Sequence, residues 1–322
     1  MAINNTIVKK KANKIPALLS AVALIISLVS VSILLFGFKA ENNQVIPIGS
    51  DTVCVYTVPD VPDSITFCGE TVPVNLTDVY ESLQKELIIN NYYHSQTIQI
   101  ILRSGRYFPI IEKILKENDM PDDLKYIAAA ESALENVTSP AGAIGFWQIL
   151  AVTAKEYGLE VNDEVDERYS IEKSTEFAVN YLKKAKEKYG NWTMAVASYN
   201  RGMSGIQRQI NRQEEENYYD LLLNSETARY VFRMIALKLI LENPAHYGFC
   251  IGPEHYYQPY DTKEIKVDSS IHSMSDFADE HHTNYKVLKL LNPWLREKQL
   301  TNNKHKEYII LVPKKKSDLI RN

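Results

Sequence analysis

Between residues 77 and 242 the chain repeats one instruction: apolar residues return three and four positions apart. That period is the signature of amphipathic helices, and it excludes a mainly β domain here. Thr77 and Asp78 suit a helix start ahead of Val79, Leu83, Leu87 and Ile88. Further helices are expected at residues 96–103, 107–116, 152–157, 171–189, 192–199, 204–211 and 226–242. In the longest of these, Ile171, Thr175, Ala178, Leu182 and Ala185 form the inner stripe, and Gly190 provides the stop. The fold class is therefore mainly α, with one helical domain over residues 77–242.

One acidic residue breaks the pattern. Pro121 suits a first helical turn, and Asp122 and Asp123 suit the positive end of a helix running to about Asn136. Leu124, Ile127, Ala128 and Leu134 then share one arc, and Glu131 falls in its middle. A glutamate at an arbitrary position is usually solvated. Here it faces the interior, where desolvation disfavours the charged form and raises the pKa. A carboxyl kept protonated near neutral pH can act as a general acid. Glu135 lies one turn on and should share Glu131's side; Asp163, Glu164 and Asp166 sit in a charged loop and should be solvated. Gly142 and Gly145, in a loop over residues 139–145, allow the backbone to come close to a ligand.

The ends of the chain organise differently. Residues 1–14 carry Lys9, Lys10, Lys11 and Lys14, and residues 15–38 then run for 24 positions without a charge. That run is long enough to span a bilayer and longer than a secretory core, so it reads as an uncleaved signal anchor. The lysines place residues 1–14 in the cytoplasm and the remainder outside. Residues 39–76, with Pro47, Pro59, Pro62 and Pro73, read as an extended linker with a short strand at 52–58. A second linker, 243–260, precedes a small α+β unit at 261–313: strand 264–267, helices 273–280 and 285–291, strand 308–312. A polar tail, 314–322, follows.

The formal net charge is −4 and no basic run occurs outside the N-terminus, which argues against nucleic-acid partners. The three cysteines, Cys54, Cys68 and Cys250, show no zinc-ligand spacing, so no metal is expected. In an oxidising compartment Cys54 and Cys68 are placed to close a short loop.

Four motifs occur in order: Glu131-Ser132; Gly142-Ala143-Ile144-Gly145-Phe146-Trp147-Gln148; Ser198-Tyr199-Asn200-Arg201-Gly202; and Glu226-Thr227-Ala228-Arg229-Tyr230-Val231. Together they resemble the soluble-lytic-transglycosylase family, most closely its membrane-bound D-type branch. The resemblance covers about residues 100–242 and implies a lysozyme-like helical domain with a groove for a glycan chain. It implies Glu131 as the single catalytic acid/base, and Ser139, Gln148, Tyr199, Asn200 and Tyr230 as substrate-side residues around it. Ser198 stands where the family usually has alanine, and Ala151 where many members have proline.

The implied reaction is cleavage of the β-1,4 bond between N-acetylmuramic acid and N-acetylglucosamine in peptidoglycan, with a 1,6-anhydro ring formed and no cofactor. The alternatives are a muramidase of the same fold and a non-catalytic peptidoglycan-binding scaffold. The implied location is the periplasmic side of a bacterial envelope, anchored through residues 15–38. The C-terminal unit resembles a LysM module, a β-α-α-β glycan binder. The matching pieces are Leu290-Leu291-Asn292-Pro293-Trp294-Leu295 and Tyr308-Ile309-Ile310-Leu311-Val312-Pro313, with Asp268-Ser269-Ser270 in place of the usual Gly-Asp-Thr.

Overall fold

A computed structural model describes residues 57–315. The uncharged run 15–38, Cys54 and all but the end of the expected strand at 52–58 lie outside the described residues. Among the described residues no helix is long and apolar enough to cross a membrane.

The helices come mostly where the periodicity placed them. They are α1 (Thr77–Tyr92), α2 (His94–Glu117), α3 (Lys125–Ser132), α4 (Ala151–Glu156), α5 (Ile171–Tyr189), α6 (Trp192–Arg201), α7 (Met203–Gln213) and α8 (Ser225–Glu242). Gly190 ends α5 with φ 76°, a left-handed C-cap that a residue with a Cβ resists. Helix α8 is the central post: α1, α3 and α6 all pack against it. Val231, Met234, Ile235 and Ala236 of that helix are fully buried, as are Leu83 and Leu87 of α1. Each large aliphatic side chain taken from water contributes roughly 1.5–3 kcal/mol, which outweighs the weak intrinsic preference of any single turn.

Two expectations differ from the structure. Residues 96–103 and 107–116 were expected as separate helices, but α2 is continuous across both and holds Pro109 inside it. Gly105, which falls between the two expected helices, is there for space. A Cβ on it would lie 2.8 Å from the Cβ of Tyr256 and 3.0 Å from the carbonyl oxygen of Tyr257. Tyr257 N–H donates to the Leu102 carbonyl at 2.8 Å, and the Arg106 guanidinium donates to the Gln258 carbonyl and lies 4.1 Å over the Tyr260 ring. Residues 256–260 are thus strapped along α2.

The second difference lies within the stretch read as an N-terminal linker. Strands β1 (Ile65–Phe67) and β2 (Glu70–Val72) pair antiparallel around a turn at Cys68-Gly69, both with positive φ. Phe67 is fully buried, Cys68 is a buried free thiol, and the Glu70 carboxylate accepts N–H bonds from Trp192 and Thr193 at the start of α6. Asp123 accepts the Cys68 N–H at 2.7 Å and pairs with Lys238 of α8 at 2.8 Å.

The C-terminal unit has the expected order: β3 (Thr262–Val267), α9 (Met274–Glu280), α10 (Tyr285–Leu291) and β4 (Tyr308–Pro313), with β3 and β4 antiparallel and Ile265 opposite Ile310. It has its own apolar cluster, including Met274, Leu288, Leu295 and Ile310. The described residues from Val58 onward belong to one compact unit.

Candidate active site

Helix α3 ends one residue after Glu131. Ala133 (φ 54°) and Leu134 (φ 58°) are both left-handed without being glycine, a strain of about 1 kcal/mol or more each. The chain accepts it because Leu134 is fully buried and Arg103 of α2 donates to the Ala133 carbonyl at 3.1 Å. The turn carries Glu135 off the helical surface, so it is not one turn beyond Glu131 on the same side. Its carboxylate pairs with Arg103. The sequence period was continued through two residues whose conformation ends it.

Glu131 itself is half-buried and receives a hydrogen bond from the Tyr230 hydroxyl of α8. Its pKa is raised from the ordinary 4.5: desolvation dominates and the charge of Glu226 adds to it, while the Tyr230 hydrogen bond and the Arg233 charge oppose it. The two nearby phenols respond to the same surroundings. Tyr230 and Tyr199 are pushed well above the usual phenol range by burial, and the Glu131 charge adds to both shifts. They stay neutral and serve as donors.

The glycine loop sits beside this acid. Ser132 Oγ donates to the Phe146 carbonyl at 2.9 Å, and Tyr199 Oη donates to the Trp147 carbonyl at 2.9 Å. Trp147 is fully buried and donates from its ring to Thr175 of α5 at 2.9 Å. Ser139 and Gln148 build the loop. Ser139 Oγ accepts the Ala143 N–H at 3.0 Å, and the Gln148 side-chain amide donates to the carbonyls of Gly145 (2.9 Å) and Val137 (3.1 Å). Gln148 also has φ 48°. Gly145, at φ 84°, admits no side chain: a Cβ there would strike the Arg168 carbonyl oxygen.

Asn200, at the end of α6, has both polar ends engaged. Its Nδ2 donates to Glu226 at 2.9 Å and its Oδ1 accepts from Thr227 Oγ1 at 2.8 Å. Of the six residues singled out from the sequence, Tyr230 bonds Glu131 directly. Tyr199 reaches the loop beside it, Ser139 and Gln148 shape that loop, and Asn200 is clamped to the first turn of α8. Sequence reasoning left Ser132, Glu226, Thr227 and Arg233 without a task. The signal was present in the first three, which lie inside the motifs; nothing local marked Arg233, whose effect comes from folding α8 against α3.

The expectation that Asp166 is solvated is also corrected, whereas Glu164 stays partly open to solvent. Asp166 is buried and paired with Arg168 at 2.7 Å. Glu164 accepts from Thr301 N–H, Thr301 Oγ1 and Gln299, and these bonds hold its pKa below the ordinary value. Asp163 is exposed. Among the described residues, no group of three or more His, Cys, Asp or Glu is placed to hold a metal.

Residues 108–222 match the family described as the transglycosylase SLT domain, and residues 263–316 match the soluble lytic transglycosylase C-terminal LysM-like domain. Two Escherichia coli proteins, from strain K12 and from the O6:H1 strain CFT073, are each described as membrane-bound lytic murein transglycosylase D. Each is 29% identical over 273 residues, covering 80% of this chain and 57% of the relative. The chain thus spans a little over half the length of the curated relatives it matches. Among solved structures, the 70 kDa soluble lytic transglycosylase of Escherichia coli gives a TM-score of 0.36 at 19% identity, over 48% of this chain and 27% of that one. An inactive mutant of the lytic transglycosylase Slt from Pseudomonas aeruginosa gives 0.34 at 16%, over 47% and 26%. The chain thus carries a match to the SLT transglycosylase domain followed by one to the LysM-like domain, and over 80% of its length it is similar to membrane-bound lytic murein transglycosylase D.

Proposed function

We propose that this chain, with its SLT and LysM-like domains, is a lytic transglycosylase that cuts peptidoglycan between N-acetylmuramic acid and N-acetylglucosamine, with Glu131 as its one acid/base. The observation that carries the reading is the setting of that carboxyl. It is half-buried, shifted toward its protonated form, and bonded by a phenol. The acids around it are committed elsewhere: Glu135 to Arg103, Glu226 to Asn200. Glycosidases that use a protein nucleophile need a second free carboxylate about 5–5.5 Å from the acid, and inverting ones need a base about 6.5–9.5 Å away. With Glu135 held by Arg103 and Glu226 by Asn200, the nucleophile is assigned to the substrate itself, as the family resemblance implies.

The steps balance without water. Glu131 gives its proton to the bridging oxygen as the bond from the muramoyl C1 to that oxygen breaks. The N-acetyl group of the same sugar stabilises the cationic C1. Glu131, now a carboxylate held by the Tyr230 hydroxyl, takes the proton of the C6 hydroxyl. The C1–O6 bond closes the 1,6-anhydro ring and the acid is restored. Burial favours the protonated state that starts the cycle, and the phenol stabilises the charged state in its middle. Ser139, Gln148, Tyr199 and Asn200 are assigned to shaping the sugar-side wall.

The uncharged run 15–38 supports a location on the outer face of the cytoplasmic membrane, with peptidoglycan strands as the partner. The relatives' description as membrane-bound supports this. Digestion of purified sacculi followed by mass spectrometry tests the reaction. Anhydro-muramoyl ends, one water lighter than hydrolysis products, are expected; reducing muramic acid ends would make the protein a muramidase.

A further inference from the structure

The C-terminal unit does not hang from a flexible linker. It is built into the segment between α4 and α5. Val165, on the SLT side of the sequence, belongs to the unit's own apolar cluster and is almost fully buried there. Asp166 N–H donates to the Trp294 carbonyl at 2.9 Å, and Arg296 N–H donates to the Glu164 carbonyl at 2.8 Å. Lys306 reaches Glu160 at 2.6 Å and Glu167 at 3.0 Å, and Tyr308 Oη donates to Glu160 at 2.9 Å. The Arg296 guanidinium lies 3.9 Å over the Tyr169 ring.

The other side of the same segment holds the glycine loop. The Arg168 guanidinium, forked onto Asp166, donates to the Ile149 carbonyl at 3.2 Å. The Arg168 backbone fills the space that Gly145 leaves open. The Tyr169 carbonyl accepts from the Asn136 side chain at 3.0 Å. The loop in turn touches the catalytic helix through Ser132 and the tyrosine pair through Trp147. Backbone and side-chain bonds therefore run without a gap from the C-terminal unit to the residue next to Glu131.

We propose that the LysM-like unit acts on catalysis from behind, bracing the glycine loop through residues 160–169, with Arg168 as the positioning residue that passes the brace on. The inference rests on the transglycosylase reading for its effect on rate, but the mechanical part stands without it. Two buried charged groups, Asp166 and Arg168, satisfy each other between the unit and the loop, and breaking such an arrangement from one side leaves the other side under-bonded. Displacing the loop by even an ångström would move the groove wall against a fixed Glu131, which is enough to cost about a hundredfold in rate in a sensitive site.

The test uses the full chain and a Lys306→Glu variant, which puts a negative charge against Glu160 and Glu167. Hydrogen exchange at the Asp166 and Arg296 amides reports release of the unit. Once they open, exchange across residues 139–149 should rise about tenfold while the α8 core stays protected, and kcat should fall about tenfold with KM within about twofold. If those two amides remain closed, Val165→Asp releases the segment even should it unfold the unit, and the same readings apply. Arg168→Lys, which keeps the charge but loses the fork, should retain more kcat than Arg168→Leu. An open interface with an unchanged loop and unchanged kcat would overturn the proposal. Should the parent chain make no anhydro-muramoyl products, the functional reading fails alone, and the exchange comparison still decides whether the brace exists.

Discussion

Two sets of carboxylates in this molecule face opposite demands. Around residues 160–167, Glu160, Glu164, Asp166 and Glu167 each accept bonds from a cation, a hydroxyl or a backbone amide. For Glu160 and Glu164 the result is a pKa below the ordinary value. Glu131 has one phenol and a desolvated setting, and its pKa moves up. Crowded donors make a structural carboxylate that stays charged; scarce donors make one that trades its proton. The sequence shows acids in both places, and only the count of partners tells them apart.

Removing the proton carrier should have the largest effect. Glu131→Gln should lower glycan cleavage by about 10³-fold or more, the scale of a lost general acid/base. The fold should not suffer. A carboxyl with a raised folded pKa costs stability as pH climbs from the ordinary 4.5 through the higher folded value, because the folded state binds the extra proton. The variant should therefore melt at or above the parent's temperature at neutral pH, with the gap closing below 4.5. A variant that melts lower throughout would give Glu131 a structural role like that of the 160–167 acids.

Gly145→Ala should come next. It forces a Cβ into the Arg168 carbonyl at a positive φ, and about 3 kcal/mol of stability should be lost. Gly142→Ala meets no neighbour and carries only the cost of its positive φ, so denaturant midpoints for the two should differ widely.

Tyr230→Phe keeps the packing and deletes the donor. Cleavage should fall about tenfold, near the value of one hydrogen bond to a charged group. Its hydroxyl lowers the Glu131 pKa, so the limb of the pH–rate profile set by Glu131 should move to higher pH. A downward move would contradict the hydrogen-bond direction.

Glu164→Gln should matter least, under about 1 kcal/mol, because the site is largely solvent-screened. The sign with pH is the reverse of that for Glu131. Glu160 and Glu164 have depressed folded pKa values, so their contribution is present above 4.5 and lost as pH falls through the lower folded values. The Asp166 and Arg296 amides should open to exchange in that acid window before the helical core does.

Several helices were legible because burial and period agree in them. Ile171–Tyr189 and Tyr285–Leu291 have the bounds the pattern predicts. The hairpin at Ile65–Val72 was not, since strands of three residues are too short to show alternation, and the groups that Glu70 bonds, Trp192 and Thr193, lie far along the chain. The gap between the expected helices at 96–103 and 107–116 fell on Gly105, a poor helix former. The room Gly105 provides is used by Tyr256, which no local window includes. At the site, the apolar arc placed Glu131 facing inward, and its half-buried position and raised pKa agree with that. The motif residues Glu226 and Thr227 were quoted without a task because their partner, Asn200, is set by the packing of α6 on α8. The fate of Glu164 and Asp166 depended on residues 294–301, beyond the reach of any spacing rule.

The contrast between the two sets is open to one direct measurement: carbon-detected NMR titration of the glutamate carboxyls in the full chain, with Glu131 and Glu164 assigned by substitution. The account predicts a midpoint for Glu131 above 4.5 and one for Glu164 below it. A Glu131 midpoint at or below that of Glu164 would mean the acid at the end of α3 is ionised like any surface carboxylate, and the proposed proton shuttle would have no starting state.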